Sequence, residues 1–423
     1  MKILIINTSE PLPFDQPVPR NQRTGMLVNE LLARGHEIVW VSSAFNHHSK
    51  THRLVEHGHF EFVKGLKFIL LKCPKYARNV SVGRLINHLM MGVRLKKYLS
   101  SEPKFDVIYC SFPPIELAYI AAEYGRQTGT PILLDARDRW PELIVEQFPK
   151  YLQIFVRAML IPYFSMAKSA FRSATVISGT SEGMVNFGLK FADRDRFAND
   201  KAIYMSFQKP SFSQVELSPL IEKYQTSKVE DGEALTICFF GTFVSQRAVD
   251  FETCIDGLKN LSDRANVRLI MCGDGPRYKA MLKRCENVDT IFLPGRVSAK
   301  EMWAISSIAD VGLLPYKPVS HFEFSIPNKV PEYLASGLPI LTSLTHGTVH
   351  NILKEKNLGI FYESGNFTSF MRAIDKCIRL KHDGILSAKR LAATSLYENI
   401  FDAKRINKKF ATVLERMSKT AEL

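Results

Sequence analysis

Three stretches of this 423-residue chain combine residue types that bind anions and sugars. Gly241-Thr242-Phe243-Val244-Ser245-Gln246-Arg247 follows the apolar run Leu235–Phe240, and Gly273-Asp274-Gly275-Pro276 follows Val267–Met271. Glycines after a strand let backbone N–H groups approach an anion, while the next helix N-terminus adds positive potential. Tight turns use the same residues, so the glycines alone leave both readings open. The third stretch, after Val311–Leu314, is Ser325-Ile326-Pro327-Asn328-Lys329-Val330-Pro331-Glu332-Tyr333-Leu334-Ala335-Ser336-Gly337. Ser325 and Asn328 suit a helix cap, and Pro327 stiffens the entry. Glu332 falls one turn in. A carboxylate there either accepts two ribose hydroxyls or complements the helix dipole.

The elements that must carry these groups alternate along the chain. Lys2–Ile6, Glu37–Val41, Phe68–Leu71, Val107–Cys110 and Ile132–Leu134 read as strands. Between them Thr24–Ala33, Arg84–Leu99 and Glu116–Gln127 have helical spacing, the first closed by Gly35 in a left-handed cap position. After the polar stretch Gln208–Glu233 the pattern restarts, with strands at Leu235–Phe240, Val267–Met271, Thr290–Leu293, Val311–Leu314 and Ile340–Thr342. Helices at Phe251–Leu261, Tyr278–Glu286, Ala299–Ser306 and Lys329–Ser336 separate them. The expected fold class is α/β, two doubly wound, Rossmann-like parallel-sheet domains facing across a cleft. Residues 1–207 and 234–395 would be the domains and 208–233 a linker. A helix over 396–423 is expected to pack back toward the N-terminal domain. Parallel sheets bind ligands beyond the carboxyl ends of their strands, which is where the glycine stretches lie.

Composition narrows the function. With 46% hydrophobic residues and 23% charged, the chain is too apolar for disorder. The longest uncharged run, Tyr333–Leu353, holds Gly337, Pro339, His346 and Asn351 and does not read as a membrane span. The opening Met1–Ile6 is too short an apolar run for a secretory signal and reads as a first strand. Seven scattered cysteines form no C-x-x-C pair, which suits buried thiols in a reducing cytoplasm and gives zinc nothing to bind. The +14 net charge concentrates in residues 50–100, with eleven basic side chains against Glu56 and Glu61. There Leu85, Leu89, Met90, Val93 and Leu99 share one helical face, with Arg84, Arg94, Lys96 and Lys97 at its ends or opposite. That composition suits an interfacial helix on anionic lipid, or a core-packed helix with a basic rim. No nucleic-acid-reading motif accompanies it, so nucleic acid is not an expected partner.

The Pro-Asn-Lys-x-x-Glu-Tyr-x-Ala-x-Gly signature of residues 327–337 resembles that of the family 4 retaining glycosyltransferases of the GT-B fold. The likeness is to their bacterial surface-polysaccharide branch. Asp135-Ala136-Arg137-Asp138-Arg139-Trp140-Pro141-Glu142, Arg23 in the first helix, and Ser43-Ala44-Phe45-Asn46-His47 match that branch too. The resemblance implies a hexosyltransferase that takes a nucleotide diphosphate sugar as donor and needs no metal or other cofactor. Its acceptor would be a glycan or lipid-linked glycan in lipopolysaccharide or related polysaccharide synthesis. It would work in the cytoplasm, peripheral on the inner face of the plasma membrane. The resemblance puts Arg247 and Lys329 on the diphosphate, with Thr242 where relatives carry an arginine. Gly241, Gly273, Asp274, Gly275, Ser325 and Asn328 would line the donor, Arg296 and Val297 its base, and Glu332 its ribose. Relatives carry a second Glu at the position of Phe324, which leaves the donor-sugar contact to neighbouring Glu323 or to neither. Asp138 would face the reacting carbon, and Arg23, His47 and Arg137 the acceptor. Asp138 also suits a cap for a helix begun at Trp140-Pro141. Two alternatives stand beside this reading: an epimerase or hydrolase of nucleotide sugars with the same fold, and a non-catalytic glycan- or lipid-binding scaffold.

Overall fold

The computed structural model describes residues 1–16, 20–53, 58–78, 81–225, 234–244, 248–259 and 267–420. It divides into two compact units, one of Met1–Tyr204 together with the chain from Ala403 onward, the other of Met205–Asp402.

Unit 1 runs β1 (Lys2–Ile6), α1 (Arg23–Ala33), β2 (Glu37–Ser43), a small β3 (Phe45–Asn46) and β4 (Thr51–His52) ribbon, β5 (His59–Val63) and β6 (Leu66–Leu71). It continues with α2 (Val82–Leu99), β7 (Val107–Phe112), α3 (Ile115–Thr128), β8 (Ile132–Ala136), α4 (Glu142–Glu146), α5 (Lys150–Met159) and α6 (Ile161–Arg172). Then come β9 (Val176–Gly179), α7 (Glu182–Ala192) and β10 (Lys201–Ala202). The main sheet is ordered β10-β9-β8-β7-β1-β2-β6-β5, parallel throughout except for β5, which pairs antiparallel with β6. Ile3, Leu4, Ile5 and Ile6 are all buried, as they must be in a strand covered on both faces. α1 stops where Gly35 takes φ +79°, a left-handed turn that costs glycine no Cβ strain.

Arg23 enters this core and not a ligand site. It was expected on the acceptor side, but its side chain is 1% exposed, and its Nε and Nη2 each lie 3.0 Å from the Asp135 carboxylate. Its Nη1 donates to the Ile203 and Tyr204 carbonyls at 2.6 and 2.9 Å. Asp135 also accepts from the Tyr109 hydroxyl at 3.1 Å and the Ser178 hydroxyl at 2.7 Å. A fully buried guanidinium whose hydrogens are spent on carboxylate and carbonyl oxygens is a strut joining α1, β7, β8 and β9.

The exposed side of α2 also differs from the expectation. Asn87, His88, Met91, Gly92, Leu95, Tyr98 and Leu99 face inward, whereas Val82, Ile86, Leu89 and Val93 face solvent. The inward face is set by α3: a Cβ on Gly92 would sit 3.3 Å from that of Glu116, so only a small residue permits the approach.

Unit 2 opens on α8 (Gln214–Gln225), inside the stretch expected to be a plain linker. Buried Leu217 and Tyr224 hold it, and Glu216 and Lys223 pair with Lys300 and Glu301 at 3.0 and 2.9 Å. β11 (Leu235–Phe240), α9 (Phe251–Lys259), β12 (Val267–Cys272), α10 (Tyr278–Arg284), β13 (Ile291–Gly295), α11 (Ala299–Ile308) and β14 (Val311–Leu314) follow. The unit then runs α12 (Ser320–Phe324), α13 (Lys329–Ala335), β15 (Ile340–Thr342), α14 (Thr348–Glu355), β16 (Gly359–Phe361), α15 (Phe367–His382) and α16 (Ile385–Ile400). Its six-stranded sheet, β13-β12-β11-β14-β15-β16, is wholly parallel. The C-terminal segment expected from residue 396 divides: α16 stays in unit 2, where the Tyr397 hydroxyl donates to the Phe207 carbonyl at 2.9 Å. α17 (Ala403–Thr420) belongs to unit 1, setting Phe410 and Leu414 among Ile3, Leu27 and Leu31. All seven cysteines are buried thiols.

Removing one member of a buried ion pair strands the other, at a cost of about 3–5 kcal/mol. Arg23→Met should therefore lower the urea midpoint sharply or abolish folding. Arg23→Met with Asp135→Leu should recover part of the loss, which a double-mutant cycle of urea curves measures.

Candidate functional site

In unit 2 the strand order reverses between β11 and β14, a switch point in an open parallel sheet. The loops after β11 and β12 meet there backbone to backbone. Gly241 N–H donates to the Cys272 carbonyl at 2.9 Å and Phe243 N–H to the Asp274 carbonyl at 2.7 Å. Gly241 and Gly273 take φ +154° and +149°, and a Cβ on Gly273 would collide with the Gly241 carbonyl. Larger residues would force the two loops apart. Thr242 and Asp274 are exposed.

α13 brings Lys329 to this crossing. Tyr333 fixes the helix: its hydroxyl donates to the Leu313 carbonyl at 3.0 Å and accepts from Phe240 N–H at 3.3 Å. The Tyr333 ring fits because position 312 is glycine, where a Cβ would press on the ring. So anchored, Lys329 extends over Gly241, with Nζ 2.5 Å from where a Gly241 Cβ would stand and 3.0 Å from the Tyr316 hydroxyl. Its ammonium also lies 5.6 Å from the Phe239 ring centroid. Glu332 lies in the first turn of α13 and is half-buried.

Other donor-side expectations fare unevenly. Asn328 occupies the N-cap of α13 but in helical backbone geometry, without a side-chain capping bond. Ser325 donates instead to the His321 carbonyl at 2.7 Å. Arg296 is a surface side chain, 3.8 Å from Asp274, a spacing at which exposed charges contribute little. Val297 is half-buried beside it. Glu323, the neighbour of Phe324, pairs with His346 at 2.9 Å. Arg247 lies outside the described residues.

Unit 1 holds a polar pocket of about 290 Å³ at the carboxyl ends of β1, β2, β7 and β8. Thr8, Ser43, Pro113 and Arg137, each just beyond or at the end of one of those strands, contribute to its wall. His47 and Asp138 also line it, so two of the three residues expected on the acceptor side, His47 and Arg137, come together here with Asp138. Asp138 accepts from Arg139 N–H at 2.9 Å, whereas α4 has Pro141 at its N-cap and no side-chain cap. The capping alternative for Asp138 is therefore not what the fold uses.

Arg137 is held by Glu10 at 2.5 Å, and Glu10 in turn accepts from Thr24 N–H at 2.9 Å. Burial opposes the charge on Arg137, but Glu10, Tyr109 and Asp135 together raise its pKa above the usual guanidinium value. His47 Nδ1 lies 2.5 Å from the Tyr76 hydroxyl. Burial, then Lys50, Arg84 and His48, push His47 down to about 4, so its ring is neutral at pH 7. Sequence reasoning missed Glu10, Tyr76, Asn87 and His88. Asn87 donates to the Pro74 carbonyl at 2.6 Å and so places the Tyr76 loop. His88 is pushed down to about 3 by burial and then Arg84, while burial pushes the nearby Glu116 up to about 7. Nothing in the chain near these residues marks them, because they converge from separate elements.

Among solved structures, the Anabaena protein Alr3699/HepE in complex with UDP aligns with a TM-score of 0.64 at 14% identity, over 98% of this chain and 100% of that one. WaaG, a glycosyltransferase involved in lipopolysaccharide biosynthesis, aligns at 0.64 and 13% identity, over 98% and 99%. An α,α-trehalose 6-phosphate synthase from Burkholderia multivorans aligns at 0.66 and 11%, over 100% and 97%. At such identities the likeness is of fold, and the fold is that of the GT-B glycosyltransferases. Residues 234–379, which lie within unit 2, match the family model described as glycosyl transferases group 1. No curated protein matches the chain in sequence.

The pocket's histidines make stability depend on pH. Folding holds His47 and His88 neutral, while the unfolded chain protonates them below about 6.5. Their contribution is full above that pH and lost as it falls toward 4. Glu116 acts oppositely: the fold keeps it protonated, so its contribution is full below about 4.5 and lost as pH rises toward 7. Thermal unfolding from pH 4.5 to 7 should show a smaller acid loss in His47→Gln than in the native protein. Glu116→Gln should steepen the rise with pH.

Proposed function

We propose that this protein transfers a hexose, with retention, from a nucleoside diphosphate sugar to a glycan or lipid-linked glycan in cell-surface polysaccharide synthesis. The observation that carries the reading is the Lys329 ammonium over Gly241, at the crossing of two glycine-lined strand ends. Breaking the bond between the anomeric carbon and the diphosphate leaves negative charge on the departing phosphate oxygen. A fixed cation beside close-packed backbone stabilises that charge where it develops, without reorganising at the moment of reaction. We assign Lys329 and Arg247 to the diphosphate, Gly241, Gly273 and Gly275 to its close approach, and Glu332 to the ribose hydroxyls. In unit 1 we assign Arg137, His47 and Asp138 to the acceptor side, with Asp138 directed at the reacting carbon. No metal enters this scheme, because Lys329 and Arg247 supply the positive charge.

HepE has been crystallised with UDP and with UDP-glucose, which makes uridine the first base to test. The work would be done in the cytoplasm at an anionic bilayer, a placement supported by the basic residues 50–100 and by the apolar side chains that α2 turns outward. Among the described residues no single helix is long and apolar enough to cross a membrane.

Calorimetric titration with UDP and UDP-glucose tests the reading, and absence of binding by these and by GDP- and ADP-sugars would overturn it. Lys329→Met removes a charge-assisted contact of about 1.5–3 kcal/mol, so affinity for UDP and for UDP-glucose should fall equally, by roughly 10- to 100-fold. A variant that weakened only the sugar nucleotide would move Lys329 from the diphosphate to the sugar. Glu332→Ala should lower affinity for UDP at least tenfold and have little effect on 2′,3′-dideoxy-UDP, whose missing hydroxyls leave the carboxylate nothing to accept. Equal losses on the two nucleotides would remove Glu332 from the ribose.

A further inference from the structure

Two buried polar side chains behind the unit 1 pocket are unused by the proposed transfer. His88 on α2 is 3% exposed and Glu116 on α3 is 4% exposed. Arg84, His88 and Gly92, spaced by four residues, share one line along α2. A Cβ on Gly92 would stand 3.3 Å from that of Glu116, so the two helices approach closely there. One turn earlier on α2, His88 Nδ1 lies 3.7 Å from a Glu116 carboxylate oxygen. His88 Nε2 accepts from Arg84 Nε at 3.4 Å, and both residues line the polar pocket. The ring is neutral at pH 7, so its one proton sits on Nδ1, the Glu116 side.

Arg84 is held from other sides too. Its guanidinium lies 4.6 Å from the Trp140 ring centroid and 5.9 Å from that of Tyr76, and it feels the Asp138 charge. The titratable groups that act on the His88–Glu116 pair are Arg84 on α2, Tyr163 on α6 and His47 beyond β3. Among the described residues, both Glu116 oxygens and His88 Nδ1 have no hydrogen bond of ordinary length, although the Tyr163 hydroxyl lies near enough to favour the Glu116 charge. Buried groups left short of bonds cost stability, which apolar side chains in the same space would not. The N-terminal turn of α3 favours a carboxylate at Glu116, yet burial outweighs it and leaves the group close to half-ionised at pH 7. An ionised Glu116 draws the Nδ1–H, closes the gap and makes Nε2 a stronger acceptor for Arg84; a protonated one does neither.

We infer that Glu116 and His88 are positioning residues for the polar pocket: the Glu116 carboxylate holds His88 Nδ1–H, His88 Nε2 holds Arg84 Nε, and Arg84 is thereby set beside Asp138 in the pocket wall. This rests on the transferase reading for what the pocket receives, and adds the buried pair that sets its geometry.

Trp140 is a built-in reporter, because Arg84 overlies it and the His88 ring stands 5.6 Å away. Emission of the full chain is followed from pH 5.5 to 8.5, and the part missing from Trp140→Phe belongs to Trp140. Arginine Nε–H signals of the nitrogen-15-labelled chain are followed beside it, with Arg84 assigned from Arg84→Lys. Both should move in one transition centred near pH 7, and Glu116→Gln should abolish it while leaving UDP binding unchanged. His88→Leu should also abolish it, whereas His88→Gln, whose amide both donates and accepts, should retain part. Release of UDP from UDP-glucose, with water in place of the acceptor, supplies the activity readout. A rate that follows the ionised fraction of Glu116 rises roughly tenfold from pH 6 to pH 8, and Glu116→Gln should flatten that rise with KM for UDP-glucose unchanged. The inference is overturned if Trp140 and Arg84 show no transition in this range, if the transition persists in Glu116→Gln, or if that variant and the native protein share one pH–activity profile. A transition that Glu116→Gln removes, in a chain that neither binds nor releases UDP, would instead count against the transferase reading alone.

Discussion

A parallel sheet covered on both faces leaves polar chemistry almost nowhere to go but the ends of its strands. Both units obey that constraint. β1 and β11 are buried along nearly their whole length, and Asn7 and Gly241 follow them at once. The unit 1 pocket and the glycine crossing of unit 2 each stand at carboxyl ends, where several loops converge.

In unit 2 the constraint is tightened by contact between backbones. Gly241 and Gly273 allow the loops after β11 and β12 to touch, and that contact decides how near Lys329 can come. Tyr333 and Gly312 make the matching adjustment beneath α13: a large ring on the helix seats against a strand position that has no side chain. The cation is held by packing as much as by its own bonds.

Unit 1 reaches the same end by a different route. Its pocket is held from behind by buried charge, with Glu10 gripping Arg137 and the Arg23–Asp135 pair tying three strands to α1. A buried pair of this kind is weak evidence for stability in itself, because desolvation offsets much of its attraction. Its effect here is positional, since Asp135 ends the hydrophobic run of β8 two residues before Arg137 and three before Asp138.

The sequence by itself determined the fold class, because strand runs and helical spacing are local properties that a two-sheet α/β architecture repeats many times. It also determined α13 and its Lys329, since Pro327 to Gly337 is one continuous stretch whose residues are set by their own helix. The pairing of Arg137 with Asp138 at the end of β8 was legible for the same reason. Tertiary structure alone decided that Arg23 is an internal strut, because its partner Asp135 lies 112 residues away. It decided the facing of α2 as well: the periodicity marks an apolar stripe, but contact with Glu116 at Gly92 turns Asn87 and His88 inward and leaves Val82, Ile86, Leu89 and Val93 outside. Hydrophobic pattern ranks residues by their own transfer free energy, whereas the burial of a polar side chain depends on which partners the rest of the fold brings to it.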